Sequence, residues 1–178
     1  MAAVIALAAE AGLVGGSIED ATGDPGAPIF DLRLAAERVA AAAEAARRLD
    51  FPFTLTGRAE NFLRGRPDLE DTIRRLQAYE AAGAAVLMAP GLPDLDAVRA
   101  VCSSVGKPFS FMVGIKGKSF SVAALAEAGV KRITLATSLY RAAMAGALRA
   151  AKEVREGGSF DYLDTAITTQ EMNAFLGG

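Results

Sequence analysis

The sequence predicts a parallel α/β fold, and three observations point there. Small-residue turns recur between a helix and an apolar strand: Ala11-Gly12 before Leu13–Ile18, Ala82-Gly83 before Ala84–Ala89, and Ala128-Gly129 before Val130–Leu135. Glycine supplies the left-handed residue that stops a helix, and an unbroken apolar strand is one buried on both faces, as in a parallel sheet. The chain has 178 residues, 52% of them apolar, enough to bury a substantial core. Alternating helices and strands account for nearly all of it, so residues 1–178 are expected to form a single α/β domain without a linker.

The elements follow in order. Met1 to Glu10 reads as a buried helix and Leu13–Ile18 as the first strand, ending at Ser17-Ile18-Glu19-Asp20. A Gly- and Pro-rich loop spans Ala21 to Ile29. Asp31 then caps a helix to about Leu49, with Leu32, Ala35, Ala36, Val39, Ala42, Ala43 and Ala46 on one face and Arg33, Glu37, Glu44 and Arg48 opposite. Pro52 to Thr56 is the second strand. Pro67 and Asp68 open the next helix, through Ala81, where Asp68 and Asp71 have the spacing of a capping box. Val86 to Ala89 is the third strand, closed by Pro90-Gly91. A helix from about Asp94 to Val105, a strand over Phe109–Val113, a helix from Ser121 to Ala128 and a strand over Ile133–Ala136 complete the alternation. A long helix from Ser138 to about Glu156 stops at Gly157-Gly158, and a short one follows Thr168-Thr169.

Five parallel strands admit two architectures. An open doubly wound sheet is complete at this length, whereas a closed barrel needs eight units and typically about 250 residues. Alternation favours the open sheet. Against it, Met1 falls inside a helix with no strand before it, as if the chain began in mid-unit.

Composition excludes several functions. Net charge is −2 with no basic stripe, so neither nucleic acid nor an anionic membrane is an expected partner. A single cysteine cannot make an internal disulfide, which suits a reducing, cytoplasmic setting. The apolar start lacks a basic flank and is interrupted by Glu10 well short of a spanning length. There is no histidine. Acid–base work must then use carboxylates, lysine, tyrosine or the one thiol, and any metal must be held by oxygen ligands.

Candidate site residues lie at the carboxyl ends of strands, where ligands of parallel α/β proteins bind. Glu19 and Asp20 end the first strand; an acid at such an edge can also cap backbone, the role assigned to Asp20. Arg58 follows Thr56-Gly57, with Glu60 and Asn61 beside it. Cys102 sits among Val98, Val101 and Val105 and reads as core filler. Gly114-Ile115-Lys116-Gly117-Lys118-Ser119 has two residues between its glycines where a phosphate loop needs four, so it reads as a loop with solvated lysines.

Glu19-Asp20, Gly57-Arg58-Ala59-Glu60-Asn61 and Leu76-Gln77-Ala78-Tyr79-Glu80-Ala81-Ala82-Gly83-Ala84, in that order and spacing, resemble the isocitrate lyase/phosphoenolpyruvate mutase superfamily, including its methylisocitrate lyase branch. The resemblance covers nearly the whole chain. It implies a partial (β/α)8 TIM-type barrel to which this chain contributes strands four to eight. About three amino-terminal βα units, on the order of 70–100 residues, would then be missing.

The resemblance further implies a Mg2+-dependent lyase or mutase acting on a small 2-oxo or 2-hydroxy carboxylate or a phosphonate counterpart. Glu19 would hold the water shell of the ion. Arg58 would grip the substrate carboxylate through its planar fork, with Glu60 in the catalytic group and Asn61 on the substrate. The aspartates used most heavily for the metal lie on the strands absent here. The superfamily's lyases carry a Lys-(Lys or Arg)-Cys-Gly-His gating loop after the acidic pair; here Asp24 to Phe30 holds no thiol, lysine or histidine. Carbon–carbon cleavage or oxaloacetate-like decarboxylation suits that loss. A homo-oligomer in which the last long helix packs on a neighbour is also implied. The alternative function is a catalytically inactive half-barrel acting as a binding or structural remnant.

Overall fold

A computed structural model describes residues 1–177. These residues group into two compact units, Met1–Ala136 and the segment from Thr137 onward. The first holds helix α1 (Ala2–Glu10), strand β1 (Gly15–Glu19), α2 (Leu32–Arg47), β2 (Thr54–Arg58), α3 (Leu69–Ala81), β3 (Val86–Met88), α4 (Leu95–Ser104), β4 (Phe109–Met112), α5 (Val122–Glu127) and β5 (Arg132–Thr134).

The five strands form one parallel sheet in the order β1-β2-β3-β4-β5. Each strand lies beside the next in sequence. A doubly wound sheet reverses direction part-way across, whereas a barrel adds strands in one rotational sense, so the order is that of a barrel arc and the open-sheet alternative falls.

Local signals act where expected. Asp31, Asp68, Asp94 and Ser121 each accept a hydrogen bond from the backbone N–H three residues on. Gly12, Gly83 and Gly129 have φ of 82°, 102° and 98°, the left-handed stops the turns required. The capping box at α3 is not completed: Asp71 N donates to Asp68 Oδ1, but the Asp71 carboxylate is taken by Asn61, Arg74 and Arg75 rather than turning back to the cap.

Three strands are displaced from their expected bounds. β2 runs to Arg58 because its register with β1 pairs Gly15 with Thr54 and Glu19 with Arg58. β1 starts at Gly15, and Leu13 and Val14 before it are exposed. β5 starts at Arg132 and ends before Ala136, whose φ of 47° leaves the extended region. Burial on both faces is likewise restricted to the middle of the sheet. β3 is buried throughout, while outer strands β1 and β5 expose residues because each has a neighbour on one side only.

The core lies between the outer face of the sheet and the helices, built from Val39, Ala42, Leu55, Leu76, Tyr79, Leu87, Val98, Val101, Phe109 and Leu125. Helix α3 packs so closely that a Cβ on Gly57 would stand 2.8 Å from Tyr79 Cβ and 3.2 Å from Ala84 Cβ. Only glycine fits there, and this contact sets the height of Arg58, the next residue. Cys102 is a half-buried free thiol in this layer, its pKa raised by burial.

The second unit comprises α6 (Ser138–Gly157), a 3-10 turn (Asp161–Asp164) and α7 (Thr169–Leu176). Gly158, with φ 64°, stops α6. Glu153 accepts hydrogen bonds from Ser159 Oγ and the Asp161 amide, tying the turn to the helix, and Thr168 with Glu171 forms a complete capping box. None of the residues in these three elements is buried. Among the described residues no helix is long and apolar enough to cross a membrane.

Candidate active site

Alternate residues of each strand face the concave side of the sheet, and there Ser17, Thr54, Thr56, Arg58, Met88, Met112, Arg132 and Thr134 line an open cavity of about 620 Å³. Arg58 stands at the carboxyl end of β2. Its Nε donates to Glu60 Oε1 at 2.6 Å and lies 3.4 Å from Glu19 Oε2 on the adjacent strand end. An acid and a guanidinium from consecutive strand ends therefore stand together at the cavity.

Glu60 is fully buried, and its second oxygen accepts from Arg64 Nε at 3.0 Å. The carboxylate is thus held between two guanidinium groups, and it fixes Arg58 from behind while leaving the rest of that side chain on the cavity. Asn61 lies elsewhere. It is 1% exposed, donates through Nδ2 to Asp71 Oδ2 at 2.8 Å, and leaves Oδ1 without a hydrogen-bond partner. Of the four expected site residues, Arg58 lines the cavity, Glu19 and Glu60 flank it, and Asn61 joins a network on the α3 side.

That network begins at Asp20, which is 2% exposed. Its Oδ2 accepts from Tyr79 Oη at 2.6 Å and from Arg75 at 3.1 Å, and its Oδ1 accepts from the Glu60 amide at 2.8 Å. Arg75 also donates to Phe30 O and to Asp71 Oδ2. One buried carboxylate therefore ties the end of β1 to the segment after β2 and to α3. Burial and the Asp20 charge push the Tyr79 hydroxyl well above its ordinary value, so it stays a donor at every accessible pH.

Burial raises the Asp71 carboxyl, but the hydrogen bonds from Arg75, Asn61 and Arg74 outweigh it and hold the group down to about 2. A carboxylate depressed on folding stabilises above its unfolded value near 3.8 and loses that contribution as pH falls through about 2. Thermal melts of the parent and of Asp71→Asn should therefore differ by about 2 kcal/mol at pH 7 and converge at pH 2. A difference that persists unchanged at pH 2 would show that the charge is irrelevant.

Arg132 is the cavity residue that sequence reasoning missed. It spans the concave face from β5, donating from Nε to Ser110 Oγ at 3.0 Å and from its fork to Thr56 Oγ1 at 3.2 Å. The signal in the sequence is a charged residue inside the Val130–Leu135 run. The glycine-flanked loop after β4 is accounted for: Lys118 donates to Gly91 O at 3.2 Å, tying that loop to the turn after β3. The loop after β1 is knit to itself, with Ala21 bridged to Ile29 and Thr22 Oγ1 donating to Ala27 O at 2.6 Å.

An oxygen-ligand metal site is not assembled by these residues alone. Among the described residues no three His, Cys, Asp or Glu side chains converge on a metal-sized space. Asp20 and Glu60 are occupied by arginines, and Glu19 alone offers a partly exposed carboxylate near the cavity.

Residues 1–155 match the family model described as phosphoenolpyruvate phosphomutase. Among solved structures, a protein of Burkholderia cenocepacia J2315 provisionally described as a lyase/mutase is 50% identical over 99% of this chain, with a TM-score of 0.95. A second protein of that organism, provisionally described as a phosphonomutase, is 32% identical over 85% of the chain, with a TM-score of 0.75. This chain spans 64% of the length of each. A phosphonopyruvate hydrolase solved with oxalate and Mg2+, 22% identical over 99% of this chain and 63% of its own, shares the fold with a TM-score of 0.79. No curated protein matches the chain.

Proposed function

The chain belongs to the phosphoenolpyruvate phosphomutase family, and from that premise we propose that it is the strand-four-to-eight part of an α/β-barrel enzyme in the methylisocitrate-lyase-like branch. In this reading residues 1–178 are one α/β domain lacking about three amino-terminal βα units. The reaction is carbon–carbon cleavage or oxaloacetate-like decarboxylation of a small 2-oxo or 2-hydroxy carboxylate, in the cytoplasm. The observation that carries it is the Arg58 guanidinium, held by buried Glu60 beside Glu19 at the rim of the cavity.

Arg58 binds the substrate carboxylate. Its planar fork offers five N–H donors, of which Glu60 takes one, and the guanidinium offsets the negative charge that bond cleavage leaves on the remaining acid. Glu60 keeps the fork from swinging into solvent. Asn61, buried and bonded to Asp71 on the α3 side, is given no direct contact with the substrate in this reading. The loop after β1 contains no proton-carrying thiol or lysine, which favours decarboxylation over a cleavage that needs a gating acid.

Magnesium is assigned to this chain only through Glu19. Because the other acids near the cavity are engaged, titration of the 178-residue chain with Mg2+ should give weak binding at best, and a tight stoichiometric site would overturn this assignment.

The activity test uses the protein extended through the missing βα units, assayed with oxaloacetate, methylisocitrate and phosphonopyruvate in the presence of Mg2+. Turnover of one of them, lowered at least about 100-fold in Arg58→Ala, is expected. No turnover, together with unchanged ligand binding in the variant, sinks the proposal. One observation favours the second reading, a non-catalytic half-barrel: β1 and β5 each leave a strand edge unpaired, a template for association. In either case α6 and α7, which bury none of their residues and expose Leu139, Tyr140, Leu148 and Phe175, provide the surface for a homo-oligomer. Light scattering on the size-exclusion peak reads the copy number.

A further inference from the structure

A second cavity, of about 390 Å³, opens at the amino ends of β2 and β3, and Ala46, Arg47, Phe51, Phe53, Leu55 and Ala85 are among its walls. Its size is that of a small-molecule site. Phe51, Phe53 and Leu55 occupy alternate positions along the chain entering β2, whereas Thr54, Thr56 and Arg58 of the same run line the concave cavity. Alternate residues of a strand face opposite sides, so the two spaces lie on opposite faces of the sheet.

Among the described residues that line this second cavity, Arg47 alone is charged. Other arginines of α2 are paired within the helix, Arg33 with Glu37 and Arg48 with Glu44, each four residues apart. Four residues before Arg47 stands Ala43, and Glu44, three before it, is taken by Arg48. Among the described residues Arg47 has no hydrogen-bond or ion-pair partner. The last turn of α2, to which it belongs, supplies partial negative charge only. Its guanidinium lies over Gly83 instead: a Cβ built there would meet Arg47 Nη1 at 3.1 Å and Ala43 Cβ at 3.0 Å. The φ of 102° at Gly83 favours glycine, so the turn that stops α3 also keeps this space clear for the guanidinium.

We propose that this cavity is a second ligand site, separate from the one at the carboxyl ends of the strands, and that it takes an amphipathic monoanion: a small carboxylic acid with an aromatic body. The ring covers Phe51, Phe53 and Leu55 and removes their apolar surface from water, with the offset stacking that aromatic pairs prefer. The carboxylate meets the unpaired Arg47 fork at the exposed rim. Acetate satisfies the cation but covers none of the apolar wall. A neutral aromatic molecule covers the wall but leaves Arg47 without a counter-charge. The site does not depend on the role given to Arg58.

The test is an amide-detected NMR titration of the 178-residue chain at low ionic strength with 3-phenylpropionate, its uncharged counterpart 3-phenylpropanamide, and acetate. The parent should bind 3-phenylpropionate at least about fivefold more tightly than either of the others, because it alone meets both the apolar wall and the cation. Its shifts should centre on Phe53, Gly83 and Ala85. Arg47→Gln should bring the acid down to the affinity of the amide while leaving the amide within about twofold. Ala85→Leu, which fills the cavity and keeps the charge, should weaken acid and amide alike. Both positions are exposed, and the comparison of probes on the parent needs no variant, so a folding defect does not leave the matter open. No binding of 3-phenylpropionate, or equal affinity for acid and amide, overturns the proposal. So do shifts centred on Met112 and Thr134 of the concave cavity, and so does an Arg47→Gln protein with a parent-like thermal melt that keeps the preference. Shifts at Phe53 and Ala85 that follow protein concentration without any probe assign this face to a second copy of the chain and overturn it as well.

Discussion

Asp20→Ala should lower the melting temperature of the chain by about 10 °C, the largest stability loss expected from any single substitution on the β1–β2–α3 side. Three bonds end on that carboxylate, from Tyr79, Arg75 and the Glu60 amide, and every donor is buried. Removing one member of a buried ion pair costs about 3–5 kcal/mol because the other charge stays behind desolvated, and the stranded hydroxyl and amide add to that. For a chain of this length each kcal/mol corresponds to about 2–4 °C. Tyr79→Phe removes one donor alone and should cost about 1–2 kcal/mol. If Asp20→Ala instead melts within about 2 °C of the parent, the carboxylate does not hold these segments together and its burial needs another explanation.

Glu60→Ala is the second large effect, and it is felt at two levels. The carboxylate is fully buried between Arg58 and Arg64, so its loss strands two cations at once. Arg58 and Arg64 keep 21% and 42% side-chain exposure and recover part of their hydration, which places the cost near 3 kcal/mol, the low end for a broken buried pair. Function should suffer separately from stability. Without Glu60 the Arg58 fork is free to rotate, and pyruvate affinity measured well below the melting temperature should fall about tenfold. Glu60→Gln, which keeps the shape but sets an amide against two guanidinium groups, should behave alike in binding. A variant that is destabilised yet binds pyruvate as the parent does would assign Glu60 to folding alone.

Asp20 and Glu60 both belong to the segments whose sequence carried the family resemblance, yet they act from opposite sides of the strand ends. The sequence already assigned the acids of Glu19-Asp20 differently, Glu19 to the site and Asp20 to backbone, and Asp20 Oδ1 does accept from the Glu60 amide. Strand alternation explains the outcome: neighbouring residues at a strand end face opposite sides of the sheet. Glu19 meets Arg58 at the cavity rim, while Asp20 is drawn among Tyr79 and Arg75 of α3. The register of β1 with β2 decides the partner instead, since it sets Glu19 beside Arg58.

By itself the sequence determined the alternation of helices and parallel strands, the capped starts at Asp31, Asp68 and Ser121, the glycine stops at residues 12, 83 and 129, and the place of Glu19 and Arg58 at strand ends. These are local matters of hydrogen-bond capping, backbone freedom and residue type, and short segments encode them. Alternation left barrel and open sheet both possible, the family resemblance pointed to the barrel, and the strand order agrees with it; tertiary structure alone decided the diversion of Asp71 from its cap to Arg75, the burial of Glu60 and Asn61, and the place of Arg132 in the cavity. Each of these depends on contacts between residues distant in the chain, such as the 76-residue separation of Arg132 and Thr56, and no local pattern specifies which remote partner a side chain will meet.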